Sequence, residues 1–418
     1  MHTELASSTD HAHDPAAPLV LALAVILLAA RAGGEIAVRL KQPAVLGELV
    51  AGIVVGNLGY AGITIFEPMK SDPFLDMFAR VGVLVLLFGV GLESTVAQML
   101  QVGASSLAVA VLGVAAPLAL GWGVGAWLLP AEGGYVHAFL GATLSATSVG
   151  ITARVLKDIG RSDTGEARVI LGAAVIDDVL GLVVLAIVSG VIAGAGSGAA
   201  VSYGAMAFTL VKATLFLAGS LALGVYLAPR LFSLASRLES RGALLTVGLA
   251  FCFLLSWGAA EIGLAPIVGA FAAGLILEDV HYRDFVARGE FGLEELLQPI
   301  SGFLVPVFFV LMGIRADLGS FARPGVAGLA AALTIAAIAG KQICSLGVVD
   351  KRVDRLSVGI GMIPRGEVGL IFANIGTTLT IGGRRVVDGA TFSAVVAMVV
   401  VTTLVTPPAL KWRFARVR

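Results

Sequence analysis

The chain contains 418 residues with no net charge at neutral pH; 58% of them are hydrophobic and only 13% are charged. Soluble globular proteins carry about 25% charged residues, so this composition excludes an ordinary soluble domain and indicates a protein that crosses a membrane several times. Zero net charge gives no reason to expect nucleic-acid binding. The cysteines, Cys252 and Cys344, lie in apolar segments and provide neither a disulfide framework nor a zinc site.

The chain divides into apolar segments long enough to be membrane helices. A spanning helix needs about 20 mostly apolar residues. The sequence therefore predicts an all-α polytopic membrane protein with about thirteen transmembrane helices between residues 18 and 410. We expect residues 1–17, which lack the basic segment of a signal peptide, to form a short extracytoplasmic tail and residues 411–418 to form a cytoplasmic tail. The predicted spans are 18–38, 44–60, 74–97, 104–130, 134–157, 164–193, 204–229, 243–262, 264–282, 300–316, 324–348, 355–380 and 389–410.

Basic residues between these spans orient the bundle. An odd number of helices places the two termini on opposite sides of the membrane. Lysine and arginine are far more numerous in the connections that would share a side with the C-terminus. The positive-inside rule therefore predicts an N-terminus outside and a C-terminus inside.

Two adjacent carboxylates, Asp177 and Asp178, lie in the middle of the apolar stretch LGAAVIDDVLGLVVL at 171–185. One charge at the centre of a membrane helix costs roughly 2.5–3.5 kcal/mol on insertion scales. Apolar sequence continues on both sides, so neither residue is expected at a helix end. The pair predicts an ion- or proton-binding site within the bundle.

The segment 134–157 carries small hydroxyl residues at the same depth, Ser145, Thr147 and Ser148, followed by Gly150. Such residues weaken a helix, and a break here would free backbone carbonyls. Carbonyls, hydroxyls and a carboxylate together suit a bare monovalent cation. Irregular backbone at this depth is tolerated where it lines a cavity. The alternative is that these hydroxyls serve as contacts between packed helices.

Two further segments contain embedded charges. Lys341 lies in AIAGKQICSLG, where its amine can pair with one aspartate or extend along its flexible stem to the inner membrane surface. The stretch GMIPRGEVGLIFANIG contains Pro364, which predicts a second break because proline removes a backbone hydrogen bond. We interpret Arg365 and Glu367 in this stretch as structural charges that neutralise each other and the freed backbone groups.

The two predicted breaks lie in the fifth and twelfth spans. An offset of seven spans gives the two segments opposite directions across the membrane. This is the arrangement of inverted-topology repeats with crossed, discontinuous helices at a midplane site.

Six motifs together resemble the cation:proton antiporter-2 family, and in particular the bacterial NapA-type sodium/proton antiporters. The likeness extends from about residue 18 to residue 410. The motifs are QPAVLGELVAGIVVG at 42–56, LLFGVGLES at 86–94, SATSVGITARVL at 145–156, GAAVIDDVLGL at 172–182, GLAPIVGAFAAGLIL at 263–277 and MIPRGEVGLI at 362–371.

The resemblance implies a homodimer with the NapA/NhaA-like antiporter fold in a bacterial cytoplasmic membrane. Each protomer would have a dimerisation part at about 18–97 and 243–316, a core part at about 104–193 and 324–410, and a linker helix at about 204–229. It also implies that Asp178 binds the cation and carries protons, that Asp177 pairs with Lys341, and that Ser145, Thr147 and Ser148 belong to the unwound segment.

The resulting expectation is electrogenic exchange of sodium or lithium for protons by elevator-like alternating access. A potassium/proton antiporter remains open, because nothing in these residues fixes the ion radius. More distant alternatives are a sodium-coupled organic anion symporter and a channel. No enzymatic activity, cofactor or metal beyond the transported cation is expected, because the histidines lie in the tail or near helix ends: His2, His11, His13, His137 and His281.

Overall fold

The computed structural model describes residues 16–93, 103–148, 152, 155–156, 159–161, 164–196, 203–235, 242–277 and 291–416, which are helical almost throughout. All of the predicted N-terminal tail except its last two residues lies outside this part. The first helices are α1 (Ala16–Arg39), α2 (Ala44–Gly56), α3 (Pro73–Glu93), α4 (Ala104–Leu128), α5 (Gly134–Ser145), α6 (Gly165–Gly196) and α7 (Tyr203–Ala235).

The second half continues the helical pattern and adds a short hairpin. Its elements are α8 (Ala243–Glu261), α9 (Pro266–Ile276), α10 (Leu293–Arg315), α11 (Val326–Cys344), α12 (Arg355–Gly361), α13 (Glu367–Thr378), β1 (Thr380–Ile381), β2 (Arg384–Arg385) and α14 (Gly389–Phe414). Short 3₁₀ turns lie at Leu58–Ala61, Glu67–Lys70, Leu318–Ala322 and Ser345–Gly347.

Eight helices in the described part are long and apolar enough to cross a membrane, and three shorter apolar helices accompany them. The protein is therefore a multi-pass membrane protein, as its composition indicates. Each of the predicted spans overlaps at least one observed helix. The number of crossings itself stays a prediction.

Both predicted interruptions are present. The helix α5 ends at Ser145, and the next residue, Ala146, is extended with φ −61° and ψ 141°. A stretch without helix likewise separates α12 from α13 around Pro364. Proline cannot donate a backbone hydrogen bond and disfavours the helical conformation of the residue before it, which explains why the second interruption falls there.

The helices pack as two groups. The scaffold group consists of α1, α2, α3, α8, α9 and α10, and the site group consists of α4, α5, α6, α11, α12, α13 and α14. The long helix α7 contacts members of both groups. The scaffold helices lie within the ranges predicted for the dimerisation part and the site helices largely within those predicted for the core part; the division into these parts stays a prediction.

Glycines bring α2 and α10 of the scaffold group into backbone contact. A Cβ added to Gly52 would lie 2.2 Å from the carbonyl oxygen of Val310, and one added to Gly313 would lie 2.2 Å from that of Leu49. Small residues at helix interfaces allow this close approach, which replaces the hydrophobic driving force that is absent within lipid. The scaffold group is thereby closely packed.

Several helix boundaries and the hairpin differ from the sequence expectation; for example, α2 ends at Gly56 rather than near 60, and α7 continues to Ala235 rather than ending near 229. The helix α10 begins at Leu293, whereas the sequence predicts a start near 300. The predicted start is late because the first turns of α10 are polar and lack the apolar signal of a span. The helix α14 continues past residue 410 to Phe414. The hairpin pairs Thr380 with Arg385 through a turn at Gly382 and Gly383, which both have positive φ.

Asp354 fixes the start of α12, the first half of the interrupted pair. Its Oδ2 accepts hydrogen bonds from the Ser357 backbone N–H at 2.9 Å and from the Ser357 hydroxyl at 2.6 Å. Arg413 of α14 donates to the same carboxylate at 2.8 and 2.6 Å. The Arg413 guanidinium holds the pKa of the Asp354 carboxyl well below its usual range.

We expect Asp354→Ala to destabilise the protein by about 1 kcal/mol for the lost helix cap and by up to about 1 kcal/mol for the lost ion pair. Asp354→Asn should lose mainly the second contribution, because asparagine also caps helices. Thermal unfolding in detergent measures both. The exposed Asp350→Ala provides the control, expected within about 0.5 kcal/mol of wild type.

The effect has a defined pH dependence. Because the folded-state pKa of Asp354 is depressed, its contribution is fully present above the unfolded value of about 3.9 and is lost as the pH falls through the folded value. The difference between wild type and Asp354→Asn should therefore stay constant between about pH 5 and pH 9. A difference that grows or vanishes within this range would contradict the assignment.

Candidate functional site

A fully buried ion pair joins α6 to α11. The Lys341 Nζ atom lies 3.0 Å from Asp177 Oδ1, and neither side chain has any exposed surface. At 1.5 Å per residue, Asp177 lies about 18 Å along α6 from its first residue, Gly165, which is near the middle of a roughly 30 Å hydrocarbon core. Lys341 therefore pairs with an aspartate and does not extend to the membrane surface.

The two aspartates have different surroundings. Asp178 is partly exposed, whereas Asp177 is buried. Successive residues of a helix point about 100° apart, so one carboxylate can face lysine while the other faces a different space. The second oxygen of Asp177, Oδ2, is buried and has no hydrogen-bond partner among the described residues.

The interrupted segments after α5 and before α13 meet at their backbones. The Ser148 N–H donates a hydrogen bond of 2.9 Å to the Pro364 carbonyl. Ser145, Thr147 and Ser148 are all buried here. The Ser145 hydroxyl donates to the Ala142 carbonyl at 2.7 Å, while Thr147 Oγ1 has no hydrogen-bond partner within the described part of the chain. Thr147 therefore offers an oxygen to a ligand.

Arg365 connects the two interrupted segments to each other and to neighbouring helices through hydrogen bonds. It is fully buried, and its Nη1 donates to the Ser145 carbonyl at 3.1 Å and also to the Ala146 carbonyl. Its Nη2 lies 3.3 Å from the Ala337 carbonyl of α11. The Thr403 hydroxyl of α14 donates to the Arg365 carbonyl at 2.7 Å. One cation thus connects both interruptions to two neighbouring helices.

The predicted pairing of Arg365 with Glu367 concerns a side chain outside the described part, because only the backbone of Glu367 is described. In the structure, Arg365 donates hydrogen bonds to backbone carbonyls that the first interruption leaves without helical partners. These carbonyls are therefore its partners in the structural role that the sequence predicts.

Sequence reasoning missed Gly113 and Thr403. A Cβ added to Gly113 of α4 would lie 3.2 Å from Lys341 Nζ and 3.5 Å from Asp177 Oδ1. A small residue at this position therefore leaves room for the ion pair, whereas a long side chain would have to displace the Lys341 amine. Neither residue carries a sequence signal, because glycine and threonine are common throughout membrane helices.

A cavity of about 350 Å³ lies at the boundary of the two groups, beside the crossing. The scaffold group contributes Leu49 and Phe309, and the site group contributes Ser148, Gly366 and Thr403. The interrupted segments, through Ser148 and Gly366, therefore border this cavity. The described residues contain no cluster of histidine, cysteine and acidic side chains of the kind that holds a resident metal ion.

An intramembrane acid–lysine pair beside two crossed, interrupted helices is the architecture of a secondary ion transporter. Comparison with known proteins identifies which kind. The family model described as "Sodium/hydrogen exchanger, transmembrane" matches residues 20–415, and the chain belongs to this family.

Individual relatives agree. The chain is 37% identical to the high-affinity Na⁺/H⁺ antiporter NhaS3 of Synechocystis, over 94% of this chain and 90% of that protein. It is 33% identical to the Na⁺/H⁺-K⁺ antiporter GerN of Bacillus cereus, over 94% and 95%. The solved sodium proton antiporter MjNhaP1 of Methanocaldococcus jannaschii has the same fold, with a TM-score of 0.66 at 16% identity over 95% of this chain and 97% of that one.

The expected antiporter family is thereby confirmed. The matching family model and these relatives are not named for the NapA type, so the finer subgroup suggested by the motifs is not the one that the comparisons identify.

The contact of Gly113 with the ion pair is testable. We expect Gly113→Leu to destabilise the protein by about 1–3 kcal/mol, the usual cost of overpacking a core, because the added side chain must displace Lys341. Gly123→Leu on the same helix is the matched control, since a Cβ there meets nothing within 4 Å. Thermal unfolding in detergent measures both.

A double-mutant comparison makes the test specific. In a Lys341→Ala background the space beside residue 113 is larger, so the cost of Gly113→Leu should shrink while that of Gly123→Leu stays unchanged. Equal costs in both backgrounds would show that the glycine is needed for another reason.

Proposed function

We propose that this protein is a secondary active antiporter that exchanges a monovalent cation, sodium in the first instance, for protons. The observation that carries the proposal is the fully buried pair of Lys341 and Asp177, with Asp178 beside it on α6. Titratable groups at this depth are costly and typically mark ion or proton pathways. The family and the names of the relatives support the same reaction.

The proposed mechanism is competition at one site. In the proton-loaded state Asp178 is neutral and Lys341 is charged against Asp177. In the cation-loaded state Asp178 is ionised and binds the cation, and the Lys341–Asp177 pair gives up a proton. The two aspartates titrate as a coupled unit, so protons belong to the cluster as a whole.

The surroundings of the crossing narrow the choice of cation ligands. Arg365 already occupies the carbonyls of Ser145 and Ala146. Thr147 Oγ1, which has no hydrogen-bond partner within the described residues, is the protein oxygen that we propose as a cation ligand together with the carboxylates. The oxygens of Ser145 and Ser148 are the other two cation contacts that the sequence predicts in this segment.

Exchange of two protons for one sodium ion would move one net charge per cycle. Each such charge is worth about 2.3 kcal/mol per 100 mV of membrane potential. The potential across a bacterial cytoplasmic membrane, with the N-terminus outside and the C-terminus inside, would then drive sodium export.

Alternating access follows from the two groups of helices. We propose that the site group moves against the scaffold group, with α7 as the linker, and that the cavity next to Ser148 and Gly366 is part of the cation route. The scaffold group would provide the homodimer contact and remain fixed in the lipid. No enzymatic step or cofactor is part of this scheme.

Potassium is the second candidate cation. The name of the relative GerN includes potassium as well as sodium. Hydroxyl and carboxylate oxygens are hard ligands that suit either alkali ion. The identity of the cation is therefore a matter of site size, which flux measurements decide.

We expect Asp178→Asn to reduce cation-driven proton flux in proteoliposomes to the level of protein-free vesicles, because the neutral amide can neither carry a proton nor compensate a cation. A pH-sensitive dye and gradients of sodium, lithium and potassium measure the flux and the ion preference together. Asp350→Asn, in an exposed loop, is the control and should retain wild-type exchange. Persistent flux in Asp178→Asn would reject the site.

Lys341→Gln tests the stoichiometry. If Lys341 releases the second proton, this variant should still exchange cations but lose the dependence on an imposed potential, because one proton per cation moves no net charge. Wild type should accelerate or slow with the sign of the potential. A Lys341→Gln protein that remains electrogenic would show that another group carries the second proton.

A further inference from the structure

A second cavity, of about 640 Å³, lies at the end of the bundle where α1 begins, the predicted outer side. Its walls come from both helix groups. The 3₁₀ turn before α3, α3 itself and α10 contribute from the scaffold group, and α13, the hairpin and α14 contribute from the site group. Four basic residues line it, Lys70, Arg80, Arg315 and Arg385, against two acidic ones, Asp72 and Asp76.

The two acidic residues already have partners. Asp76 lies between two guanidinium groups, with Oδ1 2.8 Å from Arg315 Nη1 and Oδ2 2.6 Å from Arg80 Nε. Asp72 Oδ1 accepts the backbone N–H groups of Phe74 and Leu75 and so caps α3. The two arginines thus share one carboxylate, while the other carboxylate is held by backbone N–H groups.

Arg385 makes the basic side chains of the lining outnumber the acidic ones even when Lys70 is left out. Its side chain is exposed and makes no hydrogen bond or ion pair with any residue in the described ranges. The hairpin register places it opposite Thr380, which also lines the cavity. Lys70, by contrast, is paired with Glu67 at 2.9 Å. The cavity therefore has a net positive lining with free donors on opposite walls.

We propose that this cavity binds a phosphate-bearing anion. Arginine presents a planar fork of N–H donors that matches phosphate and carboxylate oxygens. A tetrahedral phosphate offers oxygens in several directions and suits donors from more than one wall of the cavity, here Arg80, Arg315 and Arg385, whereas a planar carboxylate serves one fork. The volume lies in the range of small-molecule pockets, about 300–1,000 Å³, which is larger than a single inorganic ion requires.

The consequence rests on the proposed antiport function. A phosphate held between Arg315 and Arg385 bridges the scaffold group and the site group. This bridge would be a further polar link between the two groups, in addition to the hydrogen bond of 3.2 Å from Arg315 Nη1 to Asn374 Oδ1 of α13. Relative movement of the two groups then requires the anion to leave, so the bound anion slows exchange.

Binding is tested first, without transport. Inorganic pyrophosphate is titrated onto the purified protein in detergent at fixed ionic strength, and the unfolding temperature is followed. Wild type and Arg384→Gln should be stabilised, because Arg384 is the exposed hairpin neighbour that does not line the cavity. Arg385→Gln should bind at least about tenfold more weakly, as expected for loss of a charge-assisted hydrogen bond.

Two sources of phosphate are separated in proteoliposomes. Vesicles of zwitterionic lipid with pyrophosphate added outside test a soluble phosphate, and vesicles containing phosphatidylglycerol without pyrophosphate test a lipid headgroup. Slower exchange in wild type and Arg384→Gln, relieved in Arg385→Gln, supports the site with whichever source produces it.

The proposal is overturned if neither probe distinguishes Arg385→Gln from Arg384→Gln. Its failure is distinct from failure of the antiport function. Exchange without Arg385-dependent binding would reject only the anion site, whereas Arg385-dependent binding to a protein that exchanges no cation would reject only the antiporter.

Discussion

The ion pair of Lys341 and Asp177 is the constraint on which the rest of the site depends. Removing one partner of a buried pair leaves an uncompensated charge that costs about 3–5 kcal/mol, so α6 and α11 are tied together at this depth. Gly113 fixes the distance of a third helix, because a side chain there would press on the pair. Three helices of the site group thus meet at one interaction between two atoms 3.0 Å apart.

Arg365 and the interrupted helices depend on each other in the same way. A fully buried guanidinium needs acceptors, and the break after Ser145 supplies backbone carbonyls that a continuous helix would use internally. The break in turn needs a donor for those carbonyls within lipid. Arg365 therefore acts as a structural cation at the crossing, where its hydrogen bonds occupy the carbonyls of Ser145 and Ala146.

The sequence allowed prediction of those features of the site that depend on the chemistry of particular side chains. A pairing of Lys341 with one of the two aspartates was predictable because charges within apolar segments must pair, and the family resemblance pointed to Asp177. Pro364 predicted the second break. The acceptors of Arg365 were not predictable, since backbone carbonyls are identical in every residue. Gly113 was not distinguishable from the many other glycines of the chain. The polar first turns of α10 likewise lack the hydropathy by which spans are recognised.

Two hydrogen bonds between described residues of the two helix groups lie at one end of the bundle. In the described part of the chain they join Arg315 to Asn374, and the Asp317 N–H to Ser393 Oγ at 3.0 Å. At the level of the crossing the boundary is lined mainly by apolar side chains such as Leu49 and Phe309. Two apolar helix surfaces can move past each other without breaking hydrogen bonds. A hydrogen bond between the groups, by contrast, must be replaced by another when the groups move. If the site group moves as proposed, the hydrogen bonds that must be exchanged lie at the end of the bundle where the basic cavity lies.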